Sequence, residues 1–277
     1  MNRAVELWLV APEAIETADA ASRRCLSPSE RARWHSLRFE RSRQLYGAAH
    51  VFLRHVLCLY QNNDPADWRF EGGPLERPEL VQPRTPPAEC LRFSLSHTEG
   101  LIAVAVARGW RVGVDVEHAR ADLDLDLLAP SLLTPSECAW FDRLQPALRG
   151  PAFLTLWTLK ESLLKACGVG LAEDLRSIAL LDSLVKPRIV ISRSRHLAGV
   201  YPTWNVALGQ ARGGHAIALA AQGRLSLVDG QPADRRRLAV FDLREPTVAP
   251  QGEPLDHALL LPVKTVTPVP QRSSTIV

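Results

Sequence analysis

The chain has 277 residues, of which 46% are hydrophobic and 23% charged, with a net charge of +3. That is the composition of a globular protein rather than a disordered one, and the charge is too mild to mark a nucleic-acid binder. No apolar run approaches the ~18 residues of a membrane helix, and the five cysteines form no C-x-x-C pair, which argues against structural zinc or a disulfide framework and for a reducing cytoplasm.

Val5 to Val10 (VELWLV) is a short strand candidate; Glu6 interrupts it and no A-x-A site follows, so it reads poorly as a signal peptide. Ser27-Pro28-Ser29-Glu30 is a capping box: a hydroxyl N-cap, proline at the first helical position and glutamate at the third. Arg31, Arg33, Arg38, Arg41, Arg43 and Arg54 follow, of which only one or two are expected to reach an anion. Leu91, Phe93 and Leu95 alternate with Arg92, Ser94 and Ser96, as on a strand. Ser96 and His97 stand at its end, where they can donate to phosphate or merely cap the turn. A Ser–His nucleophile pair is disfavoured, because strand neighbours point to opposite faces. Gly100 to Gly109 encloses an apolar run that reads as a buried strand.

Val112 to Glu117 (VGVDVE) alternates again, with the valines toward the core and Gly113, Asp115 and Glu117 on the other face. Carboxylates two residues apart on a strand start about 6.6 Å apart and can converge on one ion. Their repulsion invites a cation, and oxygen-only ligands suit Mg²⁺ or Mn²⁺ rather than zinc. The alternative is a strand with a solvated acidic face. Gly113 is expected to leave room for a ligand to approach the backbone. A second capping box stands at Thr134-Pro135-Ser136-Glu137. From Pro151, suited to a first helical position, to Cys167, with Gly168 as a stop, the pattern predicts a helix. Phe153, Leu156, Trp157, Leu163, Leu164 and Cys167 form its apolar arc, and Lys160 falls in the middle of that arc. An ammonium there must find an anion, reach solvent or lose its proton. Glu161 and Lys165 lie at the arc's edge one turn apart; alone they would be a surface pair worth about 0.3–0.5 kcal/mol. The chain has 29 Arg but only four Lys, and Lys160 and Lys165 are two of the four, which hints at a need for a compact ammonium.

Gly214 to Gly223 encloses another small-residue strand. Residues 231–277 hold seven of the 21 prolines and the triplet Arg235 to Arg237, and no amphipathic period survives there; they read as an extended or disordered tail. The rest looks duplicated. The capping boxes are offset by 107 residues, and each begins 17 residues after its strand ends; the glycine-bounded strands are offset by 114. The expected organisation is a half over 1–110, a similar half over 111–225 carrying the metal site, and a tail over 226–277, with the site in the cleft between the halves.

Taken in order, these segments resemble the 4'-phosphopantetheinyl transferases of the surfactin-synthetase-activating type. Gly113-Val114-Asp115-Val116-Glu117 is similar to that family's Gly-[Val/Ile]-Asp-x-Glu signature, and Trp157-Thr158-Leu159-Lys160-Glu161-Ser162-Leu163-Leu164-Lys165 to its Trp-[Ser/Thr]-x-Lys-Glu-x-x-x-Lys. Gly168 to Leu171 and the Ser96-His97 pair are also family-like; Ser94 stands where the family often has Asn. Arg43 and Arg77-Pro78 match weaker positions. The likeness covers roughly residues 5–221 and leaves the tail unexplained.

The resemblance implies an α+β fold of two similar α/β halves about a pseudo-twofold axis, with coenzyme A between them. It implies transfer of 4'-phosphopantetheine from coenzyme A to a serine of an acyl or peptidyl carrier protein, releasing 3',5'-ADP. Asp115, Glu117 and Glu161 would hold Mg²⁺ on the diphosphate (Mn²⁺ being the other candidate), Glu161 would be the general base, and Lys165 would neutralise the diphosphate. Ser96, His97, Arg43, Arg77 and Lys160 would contact the coenzyme or support its phosphates. The expected partner is an acidic carrier protein met by a basic and apolar surface near the second half, with no nucleic acid, no membrane and a monomeric enzyme. A metal-dependent nuclease and a non-catalytic coenzyme A or carrier-protein binder are the alternatives; a nuclease would be expected to carry a stronger basic bias.

Overall fold

A computed structural model describes residues 5–16, 22–72, 78–82, 85–86, 89–118, 123–168, 174–181, 188–191, 204–211, 214–222, 226–227, 239–243 and 264–267. Strand β1 (Val5–Val10) leads into α1 (Pro12–Glu16), a 3-10 turn (Ser22–Cys25), α2 (Pro28–Ser36) and the long α3 (Glu40–Cys58). A second 3-10 turn (Pro65–Asp67) precedes the pair β2 (Phe70–Glu71) and β3 (Glu79–Leu80), then β4 (Leu91–Thr98) and β5 (Leu101–Arg108). A similar order follows: β6 (Val112–His118), α4 (Leu125–Leu132), α5 (Pro135–Phe141), the long α6 (Pro146–Cys167), a 3-10 turn (Leu175–Ser177), the pair β7 (Ile178–Leu181) and β8 (Arg188–Ile191), then β9 (Trp204–Ala211) and β10 (His215–Gln222). Among the described residues, three short strands follow: β11 (Ser226–Leu227), β12 (Ala239–Leu243) and β13 (Lys264–Thr267).

The strands form two main sheets, ordered β11-β13-β1-β5-β4 and β12-β9-β10-β6, with β2–β3 and β7–β8 as separate pairs. Val5, Leu7 and alternate residues of β5 pack against Val112, Val114 and Val116 of β6 and against Ile217, Leu219 and Ala221 of β10, so the sheets meet face to face on an apolar layer. Helix α3 covers the outer face of the first sheet through Val51, Phe52 and Val56. Helix α6 covers the outer face of the second through Leu159, Leu163 and Ala166. The fold is thus a mixed α/β arrangement of helix, sheet, sheet and helix.

Local chemistry explains the element ends. Both capping boxes form: the Glu30 amide donates to Ser27 Oγ at 3.2 Å and the Ser27 amide to Glu30 Oε2 at 2.6 Å, with Thr134 and Glu137 doing the same at 3.3 and 2.8 Å. Gly168 ends α6 in the left-handed region, φ 79°, and donates to the Leu164 carbonyl. Helix α6 does not begin at Pro151, however. It starts at Pro146 and Pro151 lies inside it. Pro146 takes the first helical position, and Pro151 removes the bond that residue 151 would have sent to the Ala147 carbonyl and sets its ring against that carbonyl.

The segment beyond 225 is more than an appended tail. Strand β13 lies against β1, with Val5 opposite Val266, and β12 runs parallel to β9, with Leu208 opposite Val240. The rest of 228–277 lies outside the described residues. No helix among the described residues is long and apolar enough to cross a membrane.

Candidate active site where strand β6 meets helix α6

Strand β6 is an edge strand, and α6 packs on the face that carries Gly113, Asp115 and Glu117. The approach is close. A Cβ on Gly113 would stand 2.0 Å from the Ser162 carbonyl oxygen and 2.4 Å from the Ala166 nitrogen. The space expected there for a ligand is therefore filled by the helix backbone. That contact is what brings the helix's polar edge to the carboxylates of the strand.

Asp115 is buried, and its two oxygens differ. Oδ1 accepts from Lys165 Nζ at 2.6 Å and from Ser96 Oγ at 2.9 Å, whereas Oδ2 is buried without a hydrogen-bond partner. Glu161, from the facing helix, is also buried, and its Oε1 has no partner. Burial pushes the Glu161 carboxyl up to about 7; the charge of Asp115 and, less strongly, of Glu117 adds to this, and Lys165 opposes it. The three acids lie within electrostatic reach of one another. Glu117, half-buried at the outer end of β6, is the weakest of these influences.

Among the described residues no three carboxylate, imidazole or thiolate groups stand gathered closely enough to hold an ion as they are. The Lys165 ammonium instead supplies the positive charge against Asp115. The donor set nonetheless fits a hard divalent cation. It is all carboxylate oxygen, and two of those oxygens are buried and unpaired, which is costly unless something positive meets them.

Ser96 is fully engaged by the protein. A hydroxyl offers one donor and two acceptor sites. Ser96 donates to Asp115 and accepts from Lys165 Nζ at 2.8 Å and from the Val116 amide at 3.2 Å. As arranged, no capacity is left for a phosphate. Ser94 does similar work, accepting from the Val114 amide at 3.0 Å. The two serines of β4 thus satisfy amides on the free edge of β6, joining the two sheets where no ladder does. His97 is partly exposed, with its Nδ1 buried and unpartnered. Burial, then His50 and Lys165, hold its imidazole down at about 4, so it is neutral near pH 7.

The remaining expected residues are placed differently. Lys160 is fully buried and turns to Glu137 Oε2 at 2.6 Å and to the carbonyls of Leu132 and Leu175, not toward the coenzyme's expected place beside Asp115. Of its three possible fates it has found an anion. Arg43 donates twice to Glu40, and to the carbonyls of Leu37 and Arg38, fastening the start of α3 rather than presenting a free guanidinium. Arg77 lies outside the described residues. Two residues were passed over by sequence reasoning. Glu137 had been read only as a helix cap; the signal for its second role was Lys160 on an apolar face, which demanded an anion. His50, on α3, stacks on Tyr46 at 3.9 Å and acts electrostatically on His97, and nothing local marks it.

Comparison with known proteins shows what the chain is similar to. Residues 111–220 match the model of the 4'-phosphopantetheinyl transferase superfamily. The chain is 30% identical over 169 residues to the 4'-phosphopantetheinyl transferase HetI of Nostoc sp., covering 61% of this chain and 70% of that protein. It is 25% identical over 273 residues to a phosphopantetheinyl transferase of Thraustochytrium sp., covering 87% of each. Among solved structures it is similar to the holo-[acyl-carrier-protein] synthase of Thermotoga maritima, at 24% identity and a TM-score of 0.34 over 42% of this chain and 66% of that one. The chain belongs to the 4'-phosphopantetheinyl transferase superfamily.

Proposed function

We propose that this protein transfers the 4'-phosphopantetheine group of coenzyme A to a serine hydroxyl of an acyl or peptidyl carrier protein, releasing 3',5'-ADP. One observation carries the reading beyond family membership: Asp115 from β6 and Glu161 from α6 each keep a buried oxygen unpaired, with the Lys165 ammonium beside them. Asp115, Glu117 and Glu161 would hold the divalent ion, Mg²⁺ or Mn²⁺. When bound, the ion would neutralise charge building on the departing 3',5'-ADP. Glu161, with its carboxyl near 7, is poised to take the proton of the carrier serine, directly or through a water, close to neutral pH. Lys165 is a point charge suited to the diphosphate, and would move from Asp115 to a phosphate oxygen when coenzyme A arrives. His97, neutral and with a free Nδ1, can donate one bond to a phosphate without a charge of its own.

The similar order of elements in the two halves supports the surfactin-synthetase-activating type, with the halves related by a pseudo-twofold axis and coenzyme A lodged between them. The five free cysteines support a cytoplasmic, reducing setting, and we propose a monomer as the working form.

The test is intact-mass spectrometry of apo carrier proteins incubated with this protein, coenzyme A and Mg²⁺. The expected result is a gain of one phosphopantetheine group that fails without the ion and fails in Asp115→Ala. No gain on any acyl or peptidyl carrier, or full transfer by Asp115→Ala, overturns the reading.

A further inference from the structure

The buried pair of Lys160 and Glu137 has a counterpart in the first half. Arg54, fully buried on α3, donates to Glu30 Oε2 at 2.6 Å and to the carbonyls of Pro65 and Trp68 at 2.7 and 3.1 Å. Lys160, fully buried on α6, donates to Glu137 Oε2 at 2.6 Å and to the carbonyls of Leu132 and Leu175 at 3.0 and 3.2 Å. In both halves the acid is the third residue of the capping-box helix, and the cation comes from the long helix. In both, one of the carbonyls belongs to the 3-10 turn that follows the long helix. A device built twice in this way serves the fold before it serves chemistry. In the second half alone, the next residue along the helix is Glu161, with Lys165 little more than a turn further on.

We propose that Lys160 is a positioning residue: its buried ion pair with Glu137 fixes α6 against α5 and β7, and thereby holds Glu161 and Lys165 toward Asp115. The inference rests on the roles proposed above for Glu161 and Lys165. Successive helical residues point about 100° apart, so gripping residue 160 on one side sets what residue 161 faces on another. The valences close. Three ammonium N–H groups meet three acceptors, and Glu137 spends its other capacity on the Thr134 and Leu180 amides at 2.8 and 2.7 Å. The guanidinium of Arg54, by contrast, leaves its Nε without a partner. This is a physical reason for a lysine here in a chain that otherwise prefers arginine.

A buried pair can be removed as a pair far more safely than as one member, because a single removal leaves a lone buried charge. The experiment therefore compares Lys160→Met, Glu137→Gln and the double variant with the wild type. It reads transfer rate, affinity for 3',5'-ADP by calorimetry without metal, and melting temperature. Each single variant is expected to lose rate about 10- to 100-fold, as a small displacement of reacting groups does, and to bind 3',5'-ADP more weakly. The double variant is expected to melt closer to the wild type than either single variant, because no lone charge remains, but to be as slow as the slower single variant and no slower, because both changes remove the same link. A lysine that touched the coenzyme would lose rate independently of Glu137. A double variant whose losses of rate multiply those of the two single variants overturns the proposal, as does a Glu137→Gln variant that keeps wild-type rate and 3',5'-ADP affinity while Lys160→Met loses both. Should a single variant fail to fold, the double variant decides alone: slowed transfer supports the proposal and wild-type transfer overturns it. Should the wild type transfer nothing, the reading of the site falls by itself, and the four melting temperatures still test the pair: recovery in the double variant supports it, and additive loss overturns it.

Discussion

The hydroxyl of Ser96 sits between the carboxylate of Asp115, the ammonium of Lys165 and the amide of Val116, and holds all three. It steers Oδ1 of Asp115 and leaves Oδ2 aside for another partner. Ser96→Ala strands the Val116 amide and frees the carboxylate to rotate. We expect a loss of about 1–3 kcal/mol in urea unfolding, with a fall in transfer rate larger than the rise in KM for coenzyme A. Unchanged stability with a rise in KM alone would make Ser96 a phosphate ligand instead. The Ser-His segment was legible in the sequence as a place of function, but the number of partners a hydroxyl would collect was not. Three contacts reach it from a second sheet and a distant helix.

At the scale of elements, the contact of β6 with α6 turns on Gly113. The alternation of VGVDVE disclosed the strand, its apolar face and its acidic face. It did not disclose what fills the space above the glycine, because the crossing of a helix over a strand is set by side chains on both. Gly113→Ala drives a methyl into the Ser162 carbonyl and the Ala166 backbone, next to Glu161. We expect a cost of about 1–3 kcal/mol or somewhat more, seen as a lower melting temperature, together with a loss of transfer as Glu161 draws back from Asp115. Gly150→Ala provides the contrast. Gly150 lies in α6 with open space around its absent Cβ apart from Pro151 beside it in the chain; the helix propensity that alanine adds there, about 0.5–1 kcal/mol, is offset by crowding against the Pro151 ring, so the net change should be small and activity untouched. Equal effects at the two glycines would mean that the helix does not bear on the strand as described.

For the whole molecule, buried groups around the site make stability depend on pH in two opposite senses. His97 lies at about 4 in the folded chain against an ordinary 6.5. As pH falls through that window the unfolded chain takes up a proton and the folded chain does not, so its contribution is present above about 6.5 and is lost toward 4. Glu161 lies at about 7 against 4.5. There the folded chain binds the proton more tightly, so stability is present below 4.5 and is lost as pH rises to about 7. Between pH 4.5 and 6.5 the slopes of His97 and Glu161 oppose each other, and His50, whose imidazole burial also holds down, adds to the sense of His97. In metal-free urea unfolding across this range, stability should rise with pH more steeply in Glu161→Gln than in the wild type, and less steeply in His97→Gln than in the wild type. Parallel profiles in the two variants would contradict the assignment. Neither shift was legible in the sequence, since each comes from burial at a seam between elements far apart in the chain.

Local order fixes what lies within a few residues along the backbone. Both capping boxes, the strands around 5–10, 91–97, 101–107, 112–117 and 215–222, and the stop at Gly168 follow from spacing and residue type alone, because those interactions close over one turn or one pleat. The tertiary structure decided which buried polar groups in the site find partners and which, Asp115 Oδ2 and Glu161 Oε1 among them, do not. Ser96 finds Asp115 across 19 positions, Lys160 finds Glu137 across 23, and Lys165 finds Asp115 across 50. What a buried donor or acceptor meets depends on what packing sets beside it, and packing is a property of the folded chain that no local window contains.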